Sequence, residues 1–351
     1  MAILPELCSI QYGYAFDSAC FTEDSTYFPL VRIRDVKRGY SETFYSGIHP
    51  NDYIIDNGSL LVGMDGEFNI ARWKGGKALL NQRVCKITAR NNVDEEYLRF
   101  ALTKALKEIE NRTSFVTVKH LSAKELNRIE IDIPDYRVQI SISGTLTKIE
   151  NIIFTRQQQL QKLDELVKAR FVELFGDPIL NQKQFPVYRM DEVVEFQGGS
   201  QPDKKFFEYE PTDDNIRLIQ IRDYKTDKFI TYIPRAMAKR FCTADDIMIG
   251  RYGPPIFQIL QGIEGSFNVA LMKATPKKGN KEFVRQFLKQ ECLLDYLEGM
   301  SKRTAGQDGI QMDKLKAYPF PLPPVELQNQ FEKFVNQVDK SKLLQFFCSP
   351  I

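Results

Sequence analysis

Residues 136–178 read YRVQISISGTLTKIENIIFTRQQQLQKLDELVKARFVELFGDP, and this stretch determines the domain organisation of the chain. Its apolar stripe steps by alternating four and three residues, which is the spacing of a coiled-coil helix. The stripe consists of Ile142, Leu146, Ile149, Ile153, Arg156, Leu160, Leu163, Val167, Arg170 and Leu174. Gly176 and Pro178 predict its end, because glycine accepts a left-handed cap and proline cannot continue a helix. A core helix is the alternative, but about 40 residues would make a rod of roughly 60 Å, a length that favours a spacer.

The sequence before this helix repeats after it, at a spacing of about 187 residues. The clearest match keeps an Ile-Arg-Asp triplet intact, since Val31-Arg32-Ile33-Arg34-Asp35 corresponds to Ile219-Gln220-Ile221-Arg222-Asp223. Further matches in the same order pair Leu7–Gly13 with Val193–Gly199, Ser59–Gly66 with Asp246–Gly253, Glu96–Arg99 with Glu282–Arg285, and Pro134 before Gln139 with Pro323 before Gln328. Ordinary α/β patterning seen twice is the alternative, but it would not keep this order. The chain is therefore predicted to hold two similar domains.

The fold class predicted for each domain is α/β, as a mixed α+β globule. Short apolar runs between turn residues predict strands at Tyr53–Ile55, Leu60–Val62, Ile129–Ile133, Ile216–Ile221, Ile247–Arg251 and Phe267–Ala274. Amphipathic patterns predict helices near Asp94–Ile109 and Lys281–Met300. A second four-three stripe at Leu327, Phe331, Phe334 and Val338 is expected to pack on the first, as long coiled-coil helices in a pseudo-two-fold arrangement. We expect a first domain at residues 1–135, a spacer helix at 136–176, a second domain at 177–323 and a distal helix at 324–351.

Composition indicates a globular protein of the reducing cytoplasm. Basic and acidic residues number 17 against 19 in residues 1–135 and 22 against 20 in residues 177–323, so any nucleic-acid binding must come from local clusters. The six cysteines are widely spaced and there are two histidines, a pattern that predicts free thiols and no structural zinc site. No apolar run approaches the roughly 20 residues that span a bilayer, and the amino terminus lacks a signal sequence, so no membrane contact is expected.

Motifs for catalysis and cofactor binding are missing from the sequence. Gly75-Gly76-Lys77 lacks the remaining residues of a phosphate-binding loop, and Gly253-Pro254-Pro255-Ile256 lacks the amide and the aromatic residue of an amino-methyltransferase tetrad. Two D-x-K triplets, which begin at Asp35 and Asp223, leave a Mg²⁺-dependent nuclease open as an alternative, although neither has a clear acidic partner. A coiled-coil adaptor that joins proteins without touching DNA is the other alternative.

Local clusters of basic and amide side chains fit DNA, because Lys and Arg bind phosphates while Arg and Gln can pair with base edges. The candidates in the first half are Arg34, Lys37, Arg38, Tyr40, Arg72, Trp73, Lys74, Arg112, Ser114 and Lys119. The candidates in the second half are Gln201, Lys204, Lys205, Arg222, Tyr224, Lys225, Lys239, Arg240, Arg251, Tyr252, Lys302, Arg303 and Gln307. For any one of them an exposed loop charge is the alternative. Internal pairs of Arg34 with Asp35 and of Arg222 with Asp223, a core position for Trp73 and a surface or packing role for His120 are open as well.

The doubled layout resembles the DNA specificity subunits of type I restriction-modification systems, and the resemblance covers nearly the whole chain. Each half opens with a motif of that kind, Ile10-Gln11-Tyr12-Gly13 or Phe196-Gln197-Gly198-Gly199. Each half carries the Ile-Arg-Asp strand and closes with a proline before a helix that contains Gln139 or Gln328. Leu160–Leu166, followed by Phe175-Gly176-Asp177-Pro178, looks like the helical spacer of that family.

This resemblance implies a non-catalytic subunit that reads a bipartite, asymmetric site in double-stranded DNA, with one target-recognition domain for each half. It also implies two methyltransferase subunits and two ATP-driven restriction and translocase subunits as partners. S-adenosylmethionine, ATP and Mg²⁺ would then belong to those partners, and this chain would hold no cofactor. The methyltransferase would flip an adenine out of the duplex, and this chain would set which adenine lies within reach.

The end of the sequence departs from the pattern of the family. The distal helix of the family usually matches the spacer in length, but here the sequence ends at Ile351, and Leu343–Ile351 loses the heptad. We hypothesise that this shortens the antiparallel pair and weakens docking of the partner subunits. Equal affinity for the methyltransferase in a version extended by a full heptad helix would contradict the hypothesis.

Overall fold

The structure is a computed structural model, and it describes residues 1–112, 120–252, 255–301 and 309–347. It divides into two compact units, Met1–Thr155 (unit 1) and Arg156–Ile351 (unit 2). The strands of unit 1 are β1 (Ala2–Ile3), β2 (Cys8–Tyr12), β3 (Phe21–Thr22), β4 (Phe28–Val31), β5 (Phe44–Tyr45), β6 (Ile54–Ile55), β7 (Leu60–Gly63), β8 (Ile70–Arg72), β9 (Ala78–Leu80), β10 (Val84–Ala89) and β11 (Glu130–Ile131). Its helices are α1 (Leu4–Leu7), α2 (Ile33–Arg38), α3 (Glu95–Arg112) and α4 (Ala123–Asn127), and α5 (Tyr136–Phe175) continues into unit 2.

Unit 2 repeats the order of elements seen in unit 1. Its strands are β12 (Val187–Arg189), β13 (Val194–Gly198), β14 (Asn215–Ile219), β15 (Tyr232–Pro234), β16 (Phe241–Cys242), β17 (Ile247–Gly250), β18 (Gln258–Gln261), β19 (Gly265–Phe267), β20 (Leu271–Pro276) and β21 (Pro319–Pro321). Its helices are α6 (Met190–Val193), α7 (Lys281–Leu288), α8 (Glu291–Ser301), α9 (Met312–Ala317) and α10 (Val325–Phe347). The prediction of two similar mixed α/β domains is confirmed.

The sheets have matching strand orders in the two units. A four-stranded antiparallel sheet runs β2-β10-β7-β8 in unit 1 and β13-β20-β17-β18 in unit 2. A second sheet contains one parallel pair in each unit, β4 with β9 and β14 with β19. A two-stranded ribbon, β1 with β11 or β12 with β21, joins the start of each unit to the strand that precedes its long helix. In each unit an apolar core fills the space between the four-stranded sheet and the helices that follow it.

The repeated proline and glutamine before each long helix form the same buried contact twice. The Gln139 side chain accepts a hydrogen bond from the Asp94 backbone N–H at 2.9 Å and donates one to the Pro134 carbonyl at 2.8 Å. Gln328 bonds in the same way to the Asn280 N–H and the Pro323 carbonyl, both at 2.7 Å. Both glutamines are buried, so each one ties the start of α3 or α7 to the start of the long helix. These contacts fix the correspondence between the units.

The glycine of each repeated opening motif lies where a side chain would not fit. A Cβ atom at Gly13 would collide with the carbonyl group of Asn81, and a Cβ atom at Gly199 would collide with that of Asn268. The next residue then donates its N–H to β9 or β19, from Tyr14 to the Leu80 carbonyl and from Ser200 to that of Phe267. The motif therefore serves a close crossing of the backbone.

The Ile-Arg-Asp triplets are not strands, and that expectation was wrong. Ile33–Arg38 is helix α2, and Ile221–Tyr224 is a short 3-10 helix. In both, the aspartate side chain accepts the backbone N–H of the residue three positions earlier, at 2.9 Å for Asp35 and 3.3 Å for Asp223. A carboxylate in this position caps a helical turn. Capping at both triplets therefore outweighs the apolar alternation that suggests a strand.

Two more predicted elements are interrupted in unit 2. The helix expected at Lys281–Met300 is split into α7 and α8, and α8 begins where the Gln290 carbonyl accepts the N–H groups of Leu293 and Leu294. The break lets both helices bury apolar side chains in one core. The strand expected at Phe267–Ala274 is divided into β19 and β20 by a turn, in which the Asn268 side chain accepts the Ala270 N–H at 3.1 Å.

The long helix has the bounds that the heptad pattern predicts. It ends at Gly176, whose φ of 76° is the left-handed cap. Within unit 2 its last turns pair with α10, because the Phe331 ring lies 5.6 Å from that of Phe171 and 5.4 Å from that of Phe175. Lys342, farther along α10, reaches back to Asp164 at 2.7 Å. The contacts run in opposite directions along the two helices, so the pair is antiparallel.

Candidate nucleic-acid interface

Helix α2 brings together several of the basic residues predicted in the first half. Gly39 follows α2, and its carbonyl oxygen accepts the Lys74 backbone N–H at 3.1 Å, which sets the Lys74 loop against the end of the helix. The exposed residues of this surface, which we call the α2 patch, are Arg34, Lys37, Arg38, Tyr40 and Lys74. Lys37 lies 3.7 Å from Glu67, and Arg38 lies 3.4 Å from Glu42. Ion pairs between exposed side chains are weak, so these cations can still bind phosphates.

Two predicted residues of the same region point inward. Trp73 is 1% exposed, and its indole N–H donates to the Gly76 carbonyl at 2.8 Å. The Arg72 guanidinium donates to both Glu95 and Glu96 at the start of α3 and to the Gly58 carbonyl. The prediction of DNA contact is wrong for Trp73, which is a core residue. It is unsupported for Arg72, because two carboxylates already neutralise this cation.

The remaining predicted residues of the first half fall elsewhere. Arg112 ends α3 and lines a surface depression together with Glu108, Glu125 and Glu130, so its surroundings are acidic. Ser114 and Lys119 lie outside the described residues.

In unit 2 the counterpart of α2 borders a cleft of cations and aromatic rings. The cleft has a volume of about 460 Å³ and is lined by Tyr209, Pro211, Arg222, Asp227, Lys228, Phe229, Ile230 and Tyr232. The Phe229 ring is 52% exposed, with the Arg222 guanidinium 5.8 Å and the Lys228 ammonium 5.5 Å from its centre. We call this the Phe229 cleft. Bases stack on exposed aromatic rings, and cations beside such rings bind phosphates.

Sequence reasoning found Arg222 and the neighbouring exposed Lys225, but it missed Tyr209, Lys228 and Phe229. The adjacent Lys228-Phe229 pair was the available signal. Arg222 and Arg34 are anchored alike, since each donates through Nη2 to a threonine hydroxyl, Thr231 at 3.1 Å and Thr43 at 3.2 Å. Each arginine thus has one fixed N–H and an exposed remainder.

Tyr224 does not belong to this surface. Its hydroxyl group is buried without a hydrogen-bond partner, and the ring packs on the core cluster around Ile219 and Phe267. Burial raises the pKa of the Tyr224 hydroxyl above its ordinary value. The prediction of DNA contact is therefore wrong for Tyr224.

Other predicted residues of unit 2 lie on exposed loops. Gln201, Lys204 and Lys205 precede β14, and the Lys205 ammonium lies 5.0 Å from the centre of the Phe206 ring. Lys239 and Arg240 precede β16 and are exposed beside Phe241. Lys302, Arg303 and Gln307 lie outside the described residues.

Arg251 and Tyr252 follow β17 at a surface that we call the unit 2 corner. The Arg251 guanidinium lies 5.4 Å from the centre of the Tyr252 ring and donates to the Val269 carbonyl at 3.3 Å. Its Nε atom is buried without a partner, whereas Tyr252 is half-exposed. The corner thus carries one arginine held from below beside an accessible ring.

The same place in unit 1 carries different chemistry, which sequence reasoning missed. Asp65 forms an isolated bridge with His120 where Tyr252 forms one with Gly309, so these positions correspond. The Asp65 carboxylate bonds to the His120 ring, and Arg83 lies 3.2 Å from His120 Nε2 and 3.6 Å from Asp65. We call this the unit 1 corner. His120 is a surface residue, as expected, but it belongs to a polar cluster that borders a depression of about 310 Å³.

The two aspartates of the D-x-K triplets have structural roles. Asp35 and Asp223 are buried as caps in separate units, so neither is free to bind Mg²⁺ as a nuclease carboxylate. Among the residues that the structure describes, no group of three or more His, Cys, Asp or Glu side chains could hold a metal ion. In the described helices, no stretch is long and apolar enough to cross a membrane.

Comparison with known proteins relates both halves to one family. The profile of the family described as "Type I restriction modification DNA specificity domain" matches twice, at residues 3–165 and 182–345. The chain is 36% identical over 166 residues to the type I restriction enzyme EcoBI specificity subunit of Escherichia coli, a match that covers 47% of this chain and 35% of that protein. It is 21% identical over 350 residues to the MjaVIII specificity subunit of Methanocaldococcus jannaschii, covering 89% of this chain and 79% of that one.

The fold is similar to a solved structure as well. The crystal structure of a type I restriction-modification system S subunit from M. genitalium superposes with a TM-score of 0.57 at 15% identity, covering 98% of this chain and 90% of that one. At this level of identity the likeness concerns the fold alone.

Proposed function

Because the chain belongs to the family of type I restriction modification DNA specificity domains, we propose that it reads a bipartite, asymmetric site in double-stranded DNA. Residues 1–135 read one half of the site and residues 177–323 read the other, residues 136–176 are the spacer helix, and 324–351 the distal helix. The chain is a recognition subunit and performs no chemistry itself. Two methyltransferase subunits and two restriction and translocase subunits act on the DNA that it selects.

A single observation carries the proposal: the two units share their buried contacts and differ at their surfaces. The Gln139 and Gln328 contacts and the two aspartate caps match atom for atom. The corners do not match, since unit 1 presents Asp65, Arg83 and His120 where unit 2 presents Arg251 and Tyr252. Donors and acceptors that differ at equivalent positions select different bases. Two unlike half-sites follow from this difference.

The surfaces proposed to touch DNA divide by task. The α2 patch and the loops with Lys204, Lys205, Lys239 and Arg240 supply cations for phosphates, which set position without reading sequence. The two corners and the Phe229 cleft supply groups for base edges and for stacking. S-adenosylmethionine, ATP and Mg²⁺ serve the partner subunits.

The test is to map methylated adenines in a host that expresses the chain with its methyltransferase. We expect one divided motif whose two halves differ in sequence. Replacement of residues 1–135 by the first domain of another specificity subunit should change one half of the motif and leave the other half intact. A change in both halves would contradict one domain for each half.

The two alternative functions make opposite predictions for the purified chain. A nuclease would cut DNA with Mg²⁺ in the absence of partners, and loss of cutting in Asp35→Asn would support it. An adaptor without DNA binding would show no retention of duplex DNA at low salt, where phosphate contacts are strongest. We expect retention without cutting.

A further inference from the structure

Unit 1 exposes an apolar face of α5 that its counterpart in unit 2 buries. The face, which we call the open face, consists of Tyr97 on α3 and Ile142, Leu146 and Ile149 on α5. Ile142 is 38% exposed and Ile149 is 47% exposed, and all residues from 148 to 155 are exposed. A helix in water does not usually show apolar side chains on this scale unless another surface covers them.

The correspondence fixed by Gln139 and Gln328 identifies the same face in unit 2. It maps Ile142, Leu146 and Ile149 onto Phe331, Val335 and Val338 of α10, and maps Tyr97 onto Phe283 of α7. These four counterparts are 0%, 3%, 5% and 1% exposed. Equivalent positions on one scaffold therefore differ only in whether something lies on them.

In unit 2 the covering element is a helix, the last turns of α5. Phe171 stacks on Phe283 at 5.7 Å, and Phe175 meets the same ring at 4.7 Å, while both also contact Phe331. Val167 joins the same core cluster one turn earlier. The scaffold is thus built to receive an amphipathic helix with two aromatic residues four positions apart, antiparallel to its own long helix.

We propose that the open face of unit 1 binds an amphipathic helix of a partner polypeptide that has this chemistry. The face carries Ile142 where unit 2 has Phe331, and the smaller side chain leaves room for aromatic rings on the incoming helix. The helix lies antiparallel to residues 142–153 of α5, as residues 163–175 lie against α10. The proposal rests on the doubled scaffold and does not depend on DNA reading.

The test uses a fluorescent peptide of residues 157–178 of this chain, which carries Phe171 and Phe175 at the required spacing. The full-length chain is titrated into the peptide, and anisotropy is recorded. We expect saturable binding of one peptide per chain, with a dissociation constant in the micromolar range because a short free helix must order on binding. The double variant Ile142→Asp, Ile149→Asp should weaken binding by about 30-fold or more.

Val172→Asp is the matched control, because Val172 is a half-exposed apolar residue on the same helix outside the open face. Circular dichroism and thermal unfolding establish that each variant is folded, which the exposure of all three positions favours. No saturable binding to the native chain, or equal binding to the double variant, would overturn the proposal. So would self-association in sedimentation velocity that the double variant abolishes, because a second copy would then occupy the face. DNA retention by the double variant tests the proposed function separately.

Discussion

The corner residues permit a paired test of base reading, with Arg83→Ala in unit 1 and Arg251→Ala in unit 2. In the unit 2 corner, Nη1 of Arg251 is held by the Val269 carbonyl and Nε is buried. Only the remaining guanidinium edge can reach DNA, which limits Arg251 to one base pair. In the unit 1 corner, Arg83 is half-exposed and is oriented by Asp65 and His120.

An arginine contact to one base edge contributes about 1–3 kcal/mol of discrimination, or roughly 5- to 150-fold. Each variant should therefore lose about this factor at the proper base and relax one position of the methylated motif. The assay is methylation mapping in a host that carries the chain and its methyltransferase, followed by competition binding on duplexes altered in one half. Arg83→Ala should relax only the half-site that Arg251→Ala leaves intact.

The salt dependence of binding separates base reading from phosphate contact. Loss of a phosphate contact weakens binding to all sequences equally and lowers the slope of log affinity against log salt by about one. Loss of a base contact lowers specificity at one position. Relaxation of both halves by a single variant would refute the assignment of one half-site to each domain, and a uniform loss over all sequences would refute base reading at the corners.

Three further predictions concern the scaffold. Gln328→Met should lower the free energy of unfolding by about 1–3 kcal/mol in urea titration, because the Asn280 N–H and the Pro323 carbonyl lose their buried partner; the exposed Gln337→Met is the control, and equal effects would refute the buried contact. Burial alone would raise the pKa of Glu96, but hydrogen bonds from Arg99 and Arg72 lower it below the ordinary 4.5, so its stabilising contribution is present above pH 4.5 and is lost as the pH falls through the folded-state value. Glu96→Gln should therefore flatten the loss of stability below pH 4.5, measured by thermal unfolding, and an unchanged acid limb would contradict this. Trp73 is the single tryptophan and is buried in unit 1, so its emission should shift to the red when unit 1 unfolds and stay unchanged when DNA binds; a quench by DNA would place the ring at the interface.

Local sequence patterns predicted the long helix and the doubled domains well, since both depend on short-range rules. The four-three spacing of α5 and the Gly176 cap act within a few residues, so their outcome could be read directly. The Ile-Arg-Asp triplets failed because an aspartate cap competes with strand pairing, and an apolar alternation of a few residues does not show which one prevails.

The candidate interface was predictable in part. Charge composition located Lys37, Arg38 and Lys74, but it gave no information on which way a side chain points, and so it included Trp73 and Tyr224. The unit 1 corner depends on chain segments far apart in sequence, since Arg83 lies 37 residues from His120 and Asp65 lies 55 residues from it. Local sequence patterns could not have brought these groups together.

The separation of shared interior contacts from unlike corners explains how one scaffold can serve two different half-sites. A buried hydrogen bond such as that of Gln328 is costly to remove, so its position is constrained by stability. Arg83 and Tyr252 are about half exposed, and substitutions at such positions usually change stability little. The corners can therefore change their bases while the fold is kept, and new specificity requires few changes in the interior. This reasoning assigns the difference between the two half-sites to side chains at equivalent backbone positions, which is why a domain exchange should transfer a half-site as a unit.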